Sequence, residues 1–229
     1  MTLLPLLVAG LSFLGSHILL SSTGLRGTLR EQLGERGFLL LYSAVALATL
    51  AWFIHSYVQS PLIPLWAFQS WMIYFPVTVM PFACVLLICG LTVANPTAVG
   101  MERRIAVHDP APGILRVTRH PVMWAIGLWA LAHMVPKGDA ASLIFFGMLA
   151  LLALGGTLLI DRKKRLALGT HWARLAEGTS NLPFLALFAG RTRLKPGEIG
   201  LLRLVAGLLL YAVLLLAHPL YAGMPVPIY

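Results

Sequence analysis

Six long apolar runs separated by short polar segments account for most of this 229-residue chain. They cover roughly 3–22, 37–58, 70–93, 119–136, 139–160 and 199–218. Each comes close to or exceeds the ~20 residues that a helix rising 1.5 Å per residue needs to cross a hydrocarbon core of about 30 Å. The pattern predicts an all-α integral membrane bundle of about six transmembrane helices. The first run has no basic residue ahead of it and no small-residue cleavage site, so it reads as a retained span rather than a signal peptide. Segment 161–198 is too charged to cross. Within it, Asp161 to Glu177 reads as a cytoplasmic helix, and Asn181 to Ala189 as an apolar patch suited to the headgroup region and closed by Gly190. No internal repeat or low-complexity stretch divides the chain, so 1–229 reads as a single membrane domain.

Composition agrees with the pattern. Hydrophobic residues are 59% of the chain, charged residues 11%, and the mean hydropathy is +0.84. A soluble domain carries about twice that share of charge, so this chain has too little to cover a wetted surface. The net charge of +9 would suit nucleic acid, but the bases sit in the connections between apolar runs and no solvated basic domain carries them. Arg26, Arg30 and Arg36 lie between runs one and two, and Arg103, Arg104, Arg116 and Arg119 precede run four. Arg162, Lys163, Lys164, Arg165, Arg174, Arg191, Arg193 and Lys195 lie between runs five and six. The alternate connections hold only Lys137. The positive-inside rule then places both termini on the non-cytoplasmic side.

Several chemistries drop out. Cys84 and Cys89 share one apolar run at a spacing that fits neither a structural zinc site nor covalent haem attachment, and they read as buried small residues. The acidic residues Glu31, Glu35, Glu102, Asp109, Asp139, Asp161, Glu177 and Glu198 all avoid the middle of a span, which disfavours a proton pump or ion-coupled transporter. The polar groups within or beside the spans are histidines: His17, His55, His120, His133 and His218. Neutral imidazole is a common metal ligand, and equally a hydrogen-bonded packing residue. His55 and His218 stand near predicted membrane boundaries. His120 and His133 are thirteen residues apart on one helix, roughly 20 Å in height, and cannot share an ion. Arg116, Arg119 and His120 cluster at the cytoplasmic mouth of span four, where they suit either headgroup anchoring or an acidic ligand. Pro121 fits the first turn of a helix.

The motifs His17, Arg26 to Arg30, Leu33-Gly34-Glu35-Arg36-Gly37-Phe38 and Asn95-Pro96 resemble the NnrU family of bacterial membrane proteins. Arg116-Val117-Thr118-Arg119-His120-Pro121, Leu128-Trp129-Ala130-Leu131-Ala132-His133 and Gly138-Asp139 extend the resemblance, which covers about residues 5–190. That family is similar to plant cis-ζ-carotene isomerase, a haem b membrane protein. The resemblance implies non-covalent haem b, axial histidines at His17 and His133, a further histidine at His55, and propionate contacts at Arg116, Arg119 and His120. It also implies a bacterial inner-membrane location and a link to denitrification and nitric oxide metabolism, with an isomerase-like or redox activity on an apolar small molecule. Helix rise alone puts His17 roughly 8–12 Å and His133 roughly 18 Å from the cytoplasmic edge, a depth argument that favours His17 with His120.

Two other functions fit part of the pattern. Arg119-His120-Pro121, Asp161 to Arg165 and Leu168-Gly169-Thr170-His171-Trp172 are distantly similar to integral-membrane methyltransferases of the isoprenylcysteine type, which use S-adenosylmethionine. Here Asp161-Arg162-Lys163 stands where that family has paired glutamates. A non-enzymatic assembly factor for a partner membrane complex is the third reading.

Overall fold

The computed structural model describes residues 2–95, 97 and 112–222. Pro96, Glu102, Arg103, Arg104 and Asp109 lie outside the described residues. Among the described residues ten α-helices follow one another: α1 (Leu4–Ser22), α2 (Leu25–Val58), α3 (Tyr74–Thr92), α4 (Pro121–Lys137), α5 (Ala140–Ala150), α6 (Gly156–Leu168), α7 (Thr170–Gly178), α8 (Leu185–Phe188), α9 (Pro196–Ile199) and α10 (Leu201–Ala222). Short 3₁₀ turns precede α3 at Ser70–Ile73 and α4 at Gly113–Arg116, and a π-turn at Leu151–Gly155 joins α5 to α6 without a break. No β-strand occurs among the described residues.

Five of these stretches are long and apolar enough to cross a membrane: α1, α2, Ser70–Thr92, Ala140–Leu168 and α10. The protein is a multi-pass membrane protein. The remaining predicted span is α4, which at 17 residues is short but central, packed between α3 and α5. Around it the helices run α2, α1, α5, α4, α3, α10 by contact. The boundaries match the apolar runs within a few residues except at α2, which reaches back to Leu25, and at the fifth run, which continues as helix past 160 to Leu168 and so takes in the first half of the expected cytoplasmic helix, α7 forming the rest. In α2 the helix passes through Gly34 in the left-handed region (φ 69°, ψ 172°), so a polar first section meets the apolar span at a kink.

The ends of α4 and α5 show why the chain turns where it does. Pro121 occupies the first turn of α4, where its missing N–H costs nothing. Gly138 ends the helix at φ 62°, and Asp139 caps α5 by accepting from the Ser142 N–H at 2.9 Å. Ser142 Oγ also donates to Asp139 at 2.6 Å and meets the Tyr57 hydroxyl at 2.8 Å, tying α2 to this turn. The opposite end of the bundle gathers the bases. Lys163 reaches the Ser21 carbonyl at 3.4 Å, and Arg203 donates to Thr92 Oγ1 at 3.0 Å. The termini of α1, α3, α6 and α10 therefore meet at one basic end.

Two apolar clusters form the interior. One joins α1, α2, α4 and α5 through Leu6, Ala9, Phe13, Phe53, Ala130, Phe145 and Phe146. The other lies near the basic end, around Leu86, Cys89, Leu115, Ala125, Trp172 and Leu175. Outward-facing residues are equally apolar, with Leu202 and Leu216 81% and 79% exposed. In water such a surface would drive aggregation; in a bilayer it is the contact with lipid.

Candidate functional site

The basic end holds the densest polar network in the chain. Arg119 and His120, just ahead of α4, converge on Asp161 of α6. Arg119 Nε donates to both carboxylate oxygens at 3.0 Å, and its Nη2 donates to Oδ2 at 2.8 Å. His120 Nε2 lies 2.6 Å from Oδ1, with its side chain only 1% exposed. Asn181 completes the cluster: Nδ2 donates to Thr157 Oγ1, and its carbonyl accepts from Thr118 Oγ1 at 2.7 Å and Trp124 Nε1 at 2.8 Å. Trp172 of α7 lies under the guanidinium, 5.3 Å from Arg119 Cζ. Sequence reading grouped Arg119 with His120 but not the segment 179–184, which is threaded against them by Arg119 N–H to Ser180 O and Phe184 N–H to Val117 O. The legible signal was depth, because Asp161 ends span five at the same membrane edge where His120 begins span four.

Arg116 forms a second clamp. It takes Glu198 in a two-pronged pair, Nε to Oε2 at 2.8 Å and Nη2 to Oε1 at 3.3 Å, and its Nη1 donates to Thr192 Oγ1. The Gly113 N–H donates to the same carboxylate at 3.1 Å. Gly113 has φ 58°, and a Cβ there would lie 2.8 Å from the Glu198 carbonyl oxygen, so no other residue fits. The Arg116 bond, then the Gly113 N–H, hold the Glu198 carboxyl down at about 2. A carboxylate lowered on folding stabilises the fold above its unfolded range near 4.5 and loses that contribution as pH falls toward 2. Glu198→Gln is therefore expected to melt below wild type at pH 7, with the gap closing between about pH 4.5 and 2. Thermal unfolding of both proteins in detergent across that range checks this, and a gap that stays constant would contradict it.

The two histidines singled out as haem ligands are built alike and placed apart. In each, Nδ1 lies against the carbonyl four residues earlier in its own helix: His17 to Phe13 at 2.8 Å, His133 to Trp129 at 2.7 Å. A carbonyl only accepts, so Nδ1 carries the proton and the Nε2 lone pair is left for a ligand. That is the donor type haem iron uses. Their depths differ, however. Gly10 of α1 faces Met148 of α5, while His133 stacks on Phe146 at 5.6 Å. Phe146 lies two residues before Met148, His17 seven after Gly10, and α1 and α5 run toward the same end. Nine residues of rise separate the imidazoles, roughly 13 Å. Two imidazoles on one iron must bring their nitrogens within roughly 4 Å. Between them stands a ladder of rings, with Phe13 on Phe53 at 5.9 Å, Phe53 on Phe145 at 4.8 Å and Phe145 on Phe146 at 5.3 Å. The residues fit a haem iron at either histidine singly, but not one iron held by both.

The other histidines sit elsewhere. His120 gives its Nε2 to Asp161 and is buried in that cluster. His55 is exposed on α2, and His218 packs on Tyr221 at 5.2 Å. No group of three metal-ligating side chains occurs among the described residues.

One turn from His133, a cavity of about 160 Å³ opens between α3, α4 and α10. Its walls are Met80, Ala83, Cys84, Leu87, Ala125, Ile126, Trp129 and Leu214, all apolar apart from the indole N–H. Enclosed cavities of roughly this size accept a six-membered hydrocarbon ring. Trp129 joins the two features, lining the cavity while its carbonyl orients His133.

With this geometry in view, the relatives can be placed. Over 174 residues the chain is 30% identical to 15-cis-zeta-carotene isomerase, chloroplastic, of Arabidopsis thaliana. The match covers 73% of this chain and 46% of the plant protein, so the chain spans about half the length of that relative. No solved structure matches the chain. The family profile described as NnrU protein matches residues 5–226, nearly the whole length, and the chain belongs to the NnrU family.

Proposed function

We propose that this protein is a haem b-binding inner-membrane protein with isomerase-like activity on an apolar substrate, in the setting of nitrogen-oxide metabolism that the family resemblance implies. The observation that carries the reading is the pairing of His133 with the Trp129 cavity. An imidazole with its Nδ1 fixed and Nε2 unengaged stands one helical turn from a half-open apolar recess between α3, α4 and α10. The likeness to a carotene isomerase supports a substrate of hydrocarbon character, and the recess is lined for that chemistry. A haem bound through one histidine supplies a redox-active iron whose behaviour is set by that ligand and by the apolar surroundings. The chain's own contribution is to orient His133 through the Trp129 carbonyl, exclude water with Phe145, Phe146 and Trp129, and seat one end of the substrate. The excess of bases at one end supports six spans with both termini on the non-cytoplasmic side. A C-terminal tag that protease reaches in intact spheroplasts checks that orientation.

The test is conversion of a cis-configured polyene hydrocarbon in liposomes containing the hemin-loaded protein, followed as the isomer ratio by chromatography. Conversion above protein-free liposomes is expected, falling at least tenfold in His133→Ala and in Ala125→Phe, which fills the recess. Wild-type protein that carries hemin but converts nothing removes the isomerase reading. Failure to bind hemin removes the haem. The methyltransferase reading has less support, because His120 and Asp161, the residues it would assign to the cofactor, are bonded to each other and buried.

A further inference from the structure

Among the described residues, a single buried side-chain nitrogen or oxygen has no hydrogen-bond partner, the Nε of Arg26. Other basic-end arginines contrast with it. Arg30 pairs with Glu35, Arg116 with Glu198, and Arg119 with Asp161. Arg191 caps the carbonyls of Ala176, Glu177 and Thr179. Arg26 instead lies over Phe38, with Cζ 5.8 Å from the ring centroid. Phe38 is 6.2 Å from Tyr42, and Tyr42 is 5.7 Å from His17, so the four side chains form one stack across the α1–α2 hairpin. Tyr42, half-buried in α2, contributes a hydroxyl. No hydrogen bond among the described residues uses that hydroxyl or the Nε2 of His17.

We propose that Arg26, Tyr42 and His17 form a binding site for the acidic group, carboxylate or phosphate, of an amphipathic ligand whose apolar body lies along the α1–α2 hairpin. A buried guanidinium nitrogen without an acceptor is costly, and an anion with several oxygens satisfies it while leaving an oxygen for the phenol. Tyr42, half-buried above the buried Phe38, gives the ligand an aromatic face, and His17 supplies a nitrogen ligand should that body carry a metal. The site lies at the membrane edge beside the end of α1, where an amphipathic molecule places its acidic end. Two sources share this chemistry: a porphyrin dicarboxylate and a phospholipid headgroup. The porphyrin source rests on the haem reading above but seats the haem at His17 in place of His133, whereas the anion site needs no haem at all.

Detergent-purified full-length protein separates the possibilities. Metal-free protoporphyrin IX, titrated by its own fluorescence, reports the carboxylate contact without iron ligation. Wild type is expected to bind it at least tenfold more tightly than its dimethyl ester, and Arg26→Ala is expected to lose the same factor. Arg26→Lys should retain part of the affinity, and His17→Ala should weaken hemin far more than the metal-free porphyrin. Reconstitution with phosphatidic acid, read by native mass spectrometry of retained lipid, tests the phospholipid source with the same variants. Phosphatidic acid held through Arg26 with no porphyrin binding would keep the anion site and remove haem from it. Equal binding of both probes by wild type and Arg26→Ala, or binding of neither by wild type, overturns the proposal. The ester comparison uses wild type alone, so it stands even where a variant fails to fold.

Discussion

Replacing Asp161 with alanine is expected to cost about 3–5 kcal/mol of folding stability, the usual penalty for removing one partner of a buried ion pair. Asp161 is the common acceptor for Arg119 and His120, whose side chains are 13% and 1% exposed. Without it a guanidinium and an imidazole remain in an apolar wall, where water cannot replace the lost oxygens. Asp161→Asn keeps the shape and one acceptor oxygen, so its loss should be smaller. Denaturant unfolding in detergent, followed by tryptophan fluorescence, measures both. The probe suits the site, since Trp172 lies under Arg119 and Trp124 donates to the Asn181 carbonyl. A loss below about 1 kcal/mol for alanine would mean the pair is incidental. Asp161 would then be free to serve a ligand.

The second large effect is expected at Gly207, the buried residue of α10. A Cβ there would stand 2.7 Å from Val85 Cα and 3.0 Å from Val85 N, and backbone has no rotamer by which to yield. Between membrane helices, where lipid is as apolar as the interface, this close approach is the main source of attraction. Gly207→Ala should destabilise by about 1–3 kcal/mol through overpacking, and Gly207→Val by more. The effect should appear at a distance too, because Leu214 of the same helix walls the Trp129 cavity. Cys84, at the base of that cavity and 2% exposed, is the reporter. In Gly207→Val it should react with a membrane-permeant thiol reagent far faster than in wild type. An unchanged rate with unchanged melting would show that α10 docks by other contacts.

Much of the fold was legible because lipid imposes a simple rule: a span must be a long apolar run. The run at 70–93 became Ser70–Thr92, and Pro121 and Gly138 marked α4 at both ends. The backward extension of α2 was not legible, since Gly34 and the charges around it look like a loop, and the helix does break its φ/ψ at Gly34 before resuming. The partners of the basic residues were hidden for another reason. Asp161 lies 41 residues from His120, and Glu198 lies 82 from Arg116, distances that no local spacing encodes. A difference in depth between His17 and His133 could be counted from helix rise alone. Arg26 was legible only as one positive charge among many, because an unpaired buried nitrogen is a property of packing.

The π-turn at Leu151–Gly155 lets the long helix through α5 and α6 keep one side inward along its whole length. A π-turn accommodates an extra residue, which shifts the angular phase of everything after it by about 100° relative to an unbroken α-helix. Before the turn, Phe145, Phe146 and Leu149 point into the aromatic interior; after it, Thr157, Asp161 and Lys164 are the buried positions. On an unbroken helix Asp161 would stand about 160° around from Phe145; with the shift it stands about 60° from it, so the face that carries the rings around His133 also brings Asp161 to Arg119 and His120. Winding the same residues as an unbroken helix would leave both ends helical and equally apolar, yet swing Asp161 away from that face. The winding of this stretch therefore carries information that its composition does not.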